Sequence, residues 1–213
     1  MAIPTAKQSH NLMIRTAIFD LGNVLVFFSF PKMLRQMAEC TGLCEKSVHT
    51  EFFEGTLRSH YETGLISTSG LIDAFRAKAP KRFSNESFCN AISDIFTLNE
   101  EIVPVIEGLK AQGIRLVLLS NTSEAHFKYV EKHYAVLKLF DAKVLSYEVG
   151  AMKPAAAIYQ AALQAARVGA AECFYTDDIE EYVMGARSQG IDAEVFVGVG
   201  ELKQQLWERS VLR

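Results

Sequence analysis

Five short apolar runs recur along the chain, each followed by polar or glycine-containing residues and then by a segment with helical periodicity. The runs are RTAIF (15–19), IRLVLLS (114–120), KVLSY (143–147), ECFYT (172–176) and AEVFVG (193–198). Near-continuous apolar strands that alternate with helices are typical of a parallel sheet covered on both faces. The pattern therefore predicts an α/β fold with a parallel sheet at its core.

Two of the helical segments have readable ends or faces. Pro154 suits the first turn of the helix AAAIYQAALQAAR, because its missing N–H needs no partner there, and Gly169 is well placed to end it. The last segment, GELKQQLWER, is predicted to pack Leu202, Leu206 and Trp207 against the sheet.

Residues 28–98 interrupt the alternation of strands and helices. This stretch contains helical patterns such as PKMLRQMAEC and STSGLIDAFRAKAP and no convincing strand. Ser67, Thr68 or Ser69 is the expected N-cap of the second pattern. We therefore expect a helical insertion between the first and second strands of the sheet.

Composition and charge narrow the class of protein. The chain has 213 residues, of which 49% are hydrophobic, so it can bury one substantial core. Its formal net charge of -3 and its scattered Lys and Arg residues argue against nucleic acid as a partner, which needs a clustered basic surface. The longest apolar stretches, LVLLS and VLVFFSF, are far shorter than the roughly 20 residues that span a bilayer, so no membrane helix is expected.

The N-terminal residues and the cysteines bear on the cellular location. The segment MAIPTAKQSHNLMIR lacks the apolar core of a signal peptide, so we expect a cytoplasmic protein. The four cysteines, Cys40, Cys44, Cys89 and Cys173, are too few and too irregularly spaced for a disulfide framework, and we expect them to be reduced thiols.

Polar and charged residues stand at or near the carboxyl ends of four predicted strands, where ligands gather in open α/β sheets. They are Asp20, the turn Ser120-Asn121-Thr122-Ser123, Lys153, and the pair Asp177-Asp178. Asp20 taken alone could simply end a strand or cap a turn. The residue types at the other three positions give stronger evidence of a binding site.

The tandem Asp177-Asp178 is hard to explain by local structure alone. One aspartate suffices to cap a helix, and a second carboxylate beside it adds repulsion unless a cation lies between them. Mg²⁺ would relieve that repulsion, because it binds oxygen ligands from one or two carboxylates and from a substrate phosphate. Asp20 and Asp178 could supply the protein ligands.

The turn after the second strand and Lys153 indicate a site for an anion. A Ser or Thr before EAHFKYVEK makes a good helix cap, and the same helix N-terminus with its free N–H groups can bind a phosphate. Lys153 lies close to the positive end of a helix dipole, where a cation is disfavoured by up to about 1 kcal/mol. An anionic ligand or nearby carboxylates would explain a lysine there.

Other familiar motifs are missing from the sequence. The five histidines do not have the spacing of metal ligands, although His60 in the insertion and His126 beside the anion turn are worth following. GxSxG, a P-loop and GxGxxG are absent, so a serine hydrolase, an NTPase and a dinucleotide-dependent enzyme are unsupported.

Four motifs in chain order resemble the haloacid dehalogenase (HAD) superfamily of hydrolases, over residues 15–198. FDLGNVLV resembles the nucleophile motif, LLSNT the phosphate-binding motif, GAMKPAAAIY the lysine motif and FYTDDIEEYVMGARSQGI the acidic metal motif. The chain is most similar to the subgroup with a small helical cap that includes an α-D-glucose-1-phosphate phosphatase and the phosphatase domain of soluble epoxide hydrolase. The resemblance implies a Rossmann-like parallel sheet with helices on both faces and a small all-helical cap inserted after the first strand.

The resemblance also implies a reaction and a role for each matching residue. Asp20 would attack phosphorus and form an aspartyl-phosphate, the covalent strategy that splits one displacement into two. Ser120, Asn121 and Lys153 would hold the phosphoryl oxygens. The enzyme would be a Mg²⁺-dependent phosphatase acting on a small phosphorylated metabolite such as a sugar phosphate.

The cofactor that the resemblance implies is Mg²⁺. Its protein ligands would be Asp20, Asp178 and the backbone carbonyl of Gly22. Asp177 would be a further ligand or an outer-shell partner of the metal.

The oligomeric state stays open, and neither nucleic acid nor a membrane is an expected partner.

In this comparison, residues 28–98 would form the cap, and residues 1–27 and 99–213 the catalytic core. The cap would close over the substrate and exclude water. Substrate choice would then lie in the cap and in the segment that leads into it. The candidate side chains are Phe27, Phe28, Phe53, Arg58 and His60.

The chain departs from the family pattern at two positions. Most phosphatases of the superfamily carry a second aspartate two residues after the nucleophile, as general acid and base, where this chain has Gly22. Such catalysis is typically worth about 10²–10⁴ in rate, although the glucose-1-phosphatase subgroup resembles this chain in having glycine there. The second departure is Tyr182, where relatives usually have Asn or Asp.

Two other functions stay open on the sequence alone. A dehalogenase of the same superfamily would use Asp20 to attack carbon without a metal, but the Asp177-Asp178 pair argues against it. A non-catalytic binding or regulatory domain would explain Gly22 and Tyr182, but it would leave the retained acidic residues without a use.

Overall fold

The computed structural model describes residues 13–212. The N-terminal segment on which the expected location rests lies largely outside these residues, as does His10. The strands, in chain order, are β1 (Thr16–Phe19), β2 (Val26–Phe28), β3 (Phe96–Leu98), β4 (Arg115–Ser120), β5 (Ala142–Leu145), β6 (Cys173–Asp177) and β7 (Asp192–Val195). The α-helices are α1 (Phe30–Thr41), α2 (Glu45–Phe53), α3 (Leu57–Glu62), α4 (Thr68–Arg76), α5 (Asn85–Ser93), α6 (Val103–Ala111), α7 (Glu124–His133), α8 (Ser146–Val149), α9 (Ala156–Ala166), α10 (Glu180–Ser188) and α11 (Val199–Glu208).

The main sheet has five parallel strands in the order β5-β4-β1-β6-β7. All five apolar runs of the sequence are therefore strands, and the predicted α/β fold is confirmed. β1 lies at the centre, and its last residue, Phe19, pairs with Leu118 of β4 and Thr176 of β6. This register brings the carboxyl ends of the three central strands to the same edge of the sheet.

Alternate side chains of the strands enter two hydrophobic cores, one on each face of the sheet. Phe19 and Leu118 pack with α6, α7 and α11, whereas Ile18 and Val117 pack with α9 and α10. The separation follows from the period of two along a strand, which sends neighbouring side chains to opposite faces. Helices consequently cover both faces, as a continuous apolar strand pattern requires.

The insertion between β2 and β3 consists of five helices, α1 to α5, with a hydrophobic core of its own. Fully or almost fully buried side chains fill it, among them Met33, Phe52, Tyr61, Phe75 and Phe88. The chain enters and leaves the insertion through the antiparallel pair β2–β3. The sequence analysis does not predict β3, because a strand of three residues is too short to show a period.

The ends of α4 and α9 can be compared with the ends that the sequence analysis predicts. Ser67 is the N-cap of α4, since its Oγ accepts a hydrogen bond from the N–H of Gly70 at 3.2 Å. The expectation for Pro154 is wrong: it precedes α9 by two residues instead of lying in its first turn. The same helix ends at Ala166, where Arg167 adopts a left-handed conformation with φ 63°, and does not extend to Gly169.

The last helix, α11, packs on the sheet through only part of the predicted face. Leu202 and Leu206 are buried, as predicted, but Trp207 is 68% exposed, so its predicted burial is wrong. Trp207 follows Leu206 directly and is rotated by about 100° around the helix axis, away from the sheet. Among the helices of residues 13–212, none is both long enough and apolar enough for a membrane span.

Candidate active site

The aligned strand ends bring together the charged residues that the sequence separates by more than 150 positions. Asp20 follows β1, Ser120 ends β4 and Asp177 ends β6. The backbone N–H of Asp20 donates to the carbonyl of Thr176 at 3.1 Å, so the hydrogen-bond ladder of the sheet continues to Asp20. Asp20 and Ser120 are 7% and 2% exposed, and Asp177 is fully buried.

Lys153 joins two of these carboxylates. Its Nζ donates to Oδ1 of Asp20 at 2.7 Å and to Oδ2 of Asp177 at 2.6 Å. The side chain of Lys153 is 1% exposed, so the ammonium group is held between the two carboxylates away from water. A lysine that looked misplaced at a helix terminus is therefore explained by its two acidic partners.

The position of Lys153 depends on Asn121 in the turn after β4. The backbone N–H of Lys153 donates to Oδ1 of Asn121 at 2.8 Å, and Nδ2 of Asn121 donates to the carbonyl of Lys153 at 3.1 Å. This pair of hydrogen bonds fixes the backbone just before α9. The Asn121 side chain thus has a structural task at the site, because it connects the turn after β4 to Lys153.

The pKa values of Asp20 and Lys153 depend on burial and on the neighbouring charges. Burial raises the pKa of Asp20 to about 7, although the Lys153 ammonium lowers it; the nearby Asp177 carboxylate adds to the increase. Burial alone would lower the pKa of Lys153, but Asp20 and Asp177 outweigh it and raise that pKa above its ordinary value. Lys153 is therefore a permanent cation at neutral pH, and Asp20 is close to its titration point.

Three carboxylates form a possible metal site. Asp20, Asp177 and Asp178 each place an oxygen within 4.8 Å of the others. Both oxygens of Asp177 are already occupied, because Oδ2 accepts from Lys153 and from the Tyr175 hydroxyl while Oδ1 accepts from the N–H of Ile179. Carboxylate oxygens are the ligands that a hard cation such as Mg²⁺ prefers, and Asp20 and Asp178 keep the most freedom to supply them.

Asn23 and Tyr175 belong to the site but escape the sequence analysis. Asn23 adopts a left-handed conformation with φ 55°, and its Nδ2 donates to Oδ2 of Asp178 at 2.9 Å. Asparagine is one of the few residues that tolerate this conformation, so the Gly-Asn turn was the available signal. Burial raises the pKa of Tyr175 well above its ordinary value, which keeps its hydroxyl protonated as a donor to Asp177.

Gly22 faces an aromatic ring. A Cβ atom at this position would lie 2.9 Å from Cε1 of Phe28, closer than real Cβ contacts come. The ring of Phe28 thus takes the space that a side chain at residue 22 would need. A side chain at residue 22 would therefore require the Phe28 ring to move.

A cavity of about 70 Å³ lies between the sheet edge and the insertion. The core contributes Gly22, Ser120 and Asn121 to its wall, and the other side includes Phe28, Arg58 and Glu62. Of the five specificity candidates, the structure therefore places Phe28 and Arg58 at this cavity.

The other three specificity candidates lie elsewhere. Phe53 packs under the guanidinium of Arg58, 5.3 Å from its ring centroid, and does not line the cavity. His60 is half-buried on α3 and does not line it either. Phe27 is 48% exposed and borders an open groove of about 570 Å³ that also reaches Asn23 and Asp178.

The remaining residues of interest differ in their contacts. Ser123 is the residue before α7, but its hydroxyl makes no cap bond and is buried with no hydrogen-bond partner among residues 13–212. A hydrogen bond of 2.9 Å joins Nε2 of His126 to the carbonyl of Ile92, and burial lowers the pKa of His126 to about 4. The centroid of the Tyr182 ring lies 5.0 Å from Nζ of Lys153, in cation–π contact.

Comparison with known proteins gives a consistent result. The family described as haloacid dehalogenase-like hydrolase matches residues 14–190. Phosphatase MT3486 of Mycobacterium tuberculosis (strain CDC 1551 / Oshkosh) is 32% identical over 198 residues, which cover 85% of this chain and 87% of that protein.

Solved structures resemble this chain along most of its length. The HAD family enzyme bt-2542 from Bacteroides thetaiotaomicron has a TM-score of 0.78 at 25% identity, covering 92% of this chain and 98% of that one. The same enzyme in complex with magnesium and inorganic phosphate has a TM-score of 0.76 at 25% identity, covering 85% and 93%. An L-2-haloacid dehalogenase from Xanthobacter autotrophicus shares the fold, with a TM-score of 0.62 at 15% identity over 92% and 83% of the two chains.

The fold alone does not separate phosphatases from dehalogenases, since a HAD phosphatase from Thermococcus onnurineus also shares it, with a TM-score of 0.67 at 16% identity over 91% and 98% of the two chains. The family match, in contrast, spans most of the chain and includes every charged residue of the site. The chain belongs to the haloacid dehalogenase-like hydrolases.

Proposed function

We propose that this protein is a Mg²⁺-dependent phosphatase that hydrolyses a small phosphorylated metabolite through a phosphorylated Asp20. The observation that carries the proposal is the grouping of Asp20, Asp177 and Asp178 within 4.8 Å around a buried lysine. A site with this charge pattern suits a divalent cation and a phosphoryl group together. The phosphatase among the relatives, and the neighbour solved with magnesium and phosphate, support the same reading.

The protein residues divide the chemical work between them. Asp20 attacks phosphorus as a carboxylate, and Lys153 stabilises both that carboxylate and the negative charge on the phosphoryl oxygens. Ser120 and the backbone of Asn121 line the cavity on the side of β4, where they can donate hydrogen bonds to those oxygens. Lys153 is shared by Asp20 and Asp177, so the nucleophile is oriented before substrate binds.

The residues present fit Mg²⁺. Asp20, Asp178 and the carbonyl of Gly22 would hold it, whereas the fully hydrogen-bonded Asp177 would act as an outer-shell partner. When bound, Mg²⁺ neutralises charge on the phosphoryl oxygens and on the attacking carboxylate. Asn23 orients Asp178 through its hydrogen bond, as second-shell partners of metal ligands generally do.

The insertion would act as the cap of the site. Residues 28–98 would be the cap domain, and the segments on either side, 1–27 and 99–213, the catalytic core. The cavity of about 70 Å³ lies between the two parts, and residues of the core and of the insertion both line it. Arg58, whose guanidinium carbon lies 5.0 Å from the ring centroid of Phe30 and 5.3 Å from that of Phe53, would contact the leaving group from the side of the insertion.

Substrate size then follows from the geometry. A sugar phosphate would need the cap to open or would need to extend its sugar toward the groove beside Phe27. His60 lines neither the cavity nor the groove beside Phe27, so we do not expect it to contact the substrate in this conformation. Sugar 1-phosphates and acyl phosphates suit the site because their leaving groups need less protonation than a simple alkoxide.

Phosphate release from a panel of phosphorylated metabolites, with and without Mg²⁺, tests the proposal. We expect release that requires Mg²⁺ and that disappears in Asp20→Asn, a variant of matched size without a nucleophile. Release no greater than the Asp20→Asn background would contradict the phosphatase proposal. Halide release from 2-haloacids without metal would instead favour a dehalogenase, and no turnover of either class would favour a binding domain.

A further inference from the structure

The cavity beside Gly22 and Ser120 lacks a proton donor at residue 22, but a carboxyl-bearing residue of the insertion lines it as well. Glu62 is the last residue of α3 and is 6% exposed. It is the one carboxyl-bearing residue among those that line this cavity, which also include Gly22 and Ser120. A phosphoryl group that contacts Ser120 of the core would have its leaving oxygen on the side away from Asp20, which is the side of the insertion and of Glu62.

The structure holds Glu62 firmly over the site. Its Oε1 accepts a hydrogen bond from Nε of Arg58 at 2.7 Å. Its backbone carbonyl accepts from Oγ of Ser146 at 2.6 Å, and the same Oγ accepts from the N–H of Thr122 at 2.9 Å. One serine thus ties α3 to the turn that begins with Ser120.

The other ionisable groups of the cavity do not suit proton transfer. Arg58 carries a guanidinium group, which serves proteins as a hydrogen-bond donor and not as a proton-transfer group. His126 uses Nε2 on the carbonyl of Ile92, and burial lowers its pKa to about 4, so it is neutral and a weak base. Glu62 remains, and burial raises its pKa although Arg58 lowers it, which is the direction that a carboxylic acid needs to donate a proton.

We infer that Glu62 is the general acid and base of this enzyme, in place of the aspartate that residue 22 lacks; the inference rests on the proposed phosphatase function. In the first step Asp20 forms a bond to phosphorus, the bond from phosphorus to the leaving oxygen breaks, and that oxygen takes the proton of Glu62. In the second step the Glu62 carboxylate takes a proton from water while the water oxygen attacks phosphorus. The bond to Asp20 breaks, phosphate leaves, and both side chains return to their starting states.

The variant Glu62→Gln separates this role from a structural one. Its amide oxygen can still accept from Nε of Arg58, but it cannot transfer a proton. For an alkyl phosphate, whose leaving group needs protonation, we expect turnover to fall by about 10²–10⁴-fold. For p-nitrophenyl phosphate, which needs no acid, we expect a burst of one nitrophenolate per enzyme followed by slow turnover, because only the second step still requires the base.

Controls make each outcome decisive. Glu45→Gln changes an exposed glutamate of the same insertion and is expected to behave as wild type. If Glu62 only positions Arg58, then Glu62→Gln shows no burst and keeps its alkyl phosphate turnover, and the inference fails while the phosphatase stands. If the wild type itself releases no more phosphate than Asp20→Asn, the proposed function fails as well.

A second variant covers the case in which Glu62→Gln does not fold. Glu62→Ala leaves space for a small carboxylate, and added formate is expected to restore its turnover of p-nitrophenyl phosphate after the burst. Loss of turnover in this variant without rescue by formate would count against proton transfer by residue 62.

Discussion

At the scale of single residues, the site depends on one buried cation between two carboxylates. Lys153 is in contact with Asp20 and Asp177, and neither carboxylate has another cationic partner among the hydrogen bonds of residues 13–212. Buried ions of this kind are costly to leave unpaired. The same arrangement therefore serves the stability of the sheet edge and the chemistry of Asp20.

Lys153→Met is expected to destabilise the protein by about 3–5 kcal/mol, because it leaves two carboxylates buried side by side without their cation. Phosphatase activity should fall to the Asp20→Asn level. Urea unfolding and phosphate release measure the two effects. Lys132→Met, at an exposed position, is the control and should change neither; an unfolding free energy for Lys153→Met equal to that of the control would contradict the role of the ion pairs.

The pKa of Asp20 predicts how stability depends on pH. Burial raises that pKa from 3.8 to about 7, so between these values the folded protein binds a proton that the unfolded chain has released. The contribution of Asp20 to the free energy of unfolding is therefore fully present below about pH 4 and is lost as pH rises to about 7. In metal-free buffer, the stability of wild type relative to Asp20→Asn should decrease over this range, as urea titrations at a series of pH values would show.

Asp141 provides a control of opposite sign. Burial would raise its pKa, but hydrogen bonds from the N–H of Leu116 and from Lys110 hold it below its ordinary value. The contribution of Asp141 to the free energy of unfolding is present when the pH lies above the ordinary pKa of an aspartate, and it is lost as the pH falls. Asp141→Asn should therefore lose stability relative to wild type at neutral pH and approach it in acid, and the same slope for both variants would show that the Asp20 reasoning is wrong.

At the scale of elements, the pair β2–β3 places an aromatic ring against the loop between β1 and β2. Phe28 of β2 fills the space beside Gly22, and the same ring packs edge-on against Phe30 and Phe96. The loop between β1 and β2 is itself closed by hydrogen bonds from the N–H of Val26 to the carbonyl of Leu21 at 2.9 Å. Gly22 and β2 therefore pack directly against each other.

Gly22→Ala is expected to destabilise the protein by about 1–3 kcal/mol, since the new methyl group would overlap the Phe28 ring. Adding Phe28→Ala should cancel most of that additional cost, because the ring is then gone. Urea unfolding of the two single variants and the double variant measures the coupling. Phe27→Ala removes the exposed neighbouring ring and is the matched control; additive effects of Gly22→Ala and Phe28→Ala would contradict the packing argument.

At the scale of the whole molecule, the insertion is attached to the core at the site itself. Besides the Ser146 bridge, the N–H of Ala125 donates to the hydroxyl of Tyr61 at 3.2 Å, and Thr68 donates to Glu124 at 2.7 Å. Gly64 approaches the carbonyl of Tyr147 so closely that no side chain could fit there. These contacts hold the insertion over the cavity in the conformation described here.

Ser146→Ala tests whether this attachment matters for closure. The change removes the donor to the Glu62 carbonyl and leaves the buried N–H of Thr122 without its acceptor, so we expect a loss of about 1–3 kcal/mol in unfolding free energy. Closure should also weaken, and the KM for substrate should rise more than kcat falls. Ser188→Ala, on the exposed surface of α10, is the control; an unchanged KM would show that the bridge contributes to folding alone.

Much of the fold and the main charged residues could be predicted from the sequence. Five runs of apolar residues predicted five parallel strands, because burial on both faces leaves a continuous hydrophobic signal. Short elements and the orientation of single residues gave weaker signals. β3 is too short to show a period, and the exposure of Trp207 depends on where its helix meets the sheet.

The sequence by itself determined which residues carry charge at the strand ends, since Asp20, Lys153 and the Asp177-Asp178 pair follow strands that pattern alone identifies. Only the tertiary structure decided how they are paired and what faces them. The strand order places Asp20 beside Asp177, packing puts Phe28 against Gly22, and docking of α3 brings Glu62 into the same cavity. The distance between two residues along the sequence does not predict such contacts, because they arise from the register of the sheet and from packing between distant elements.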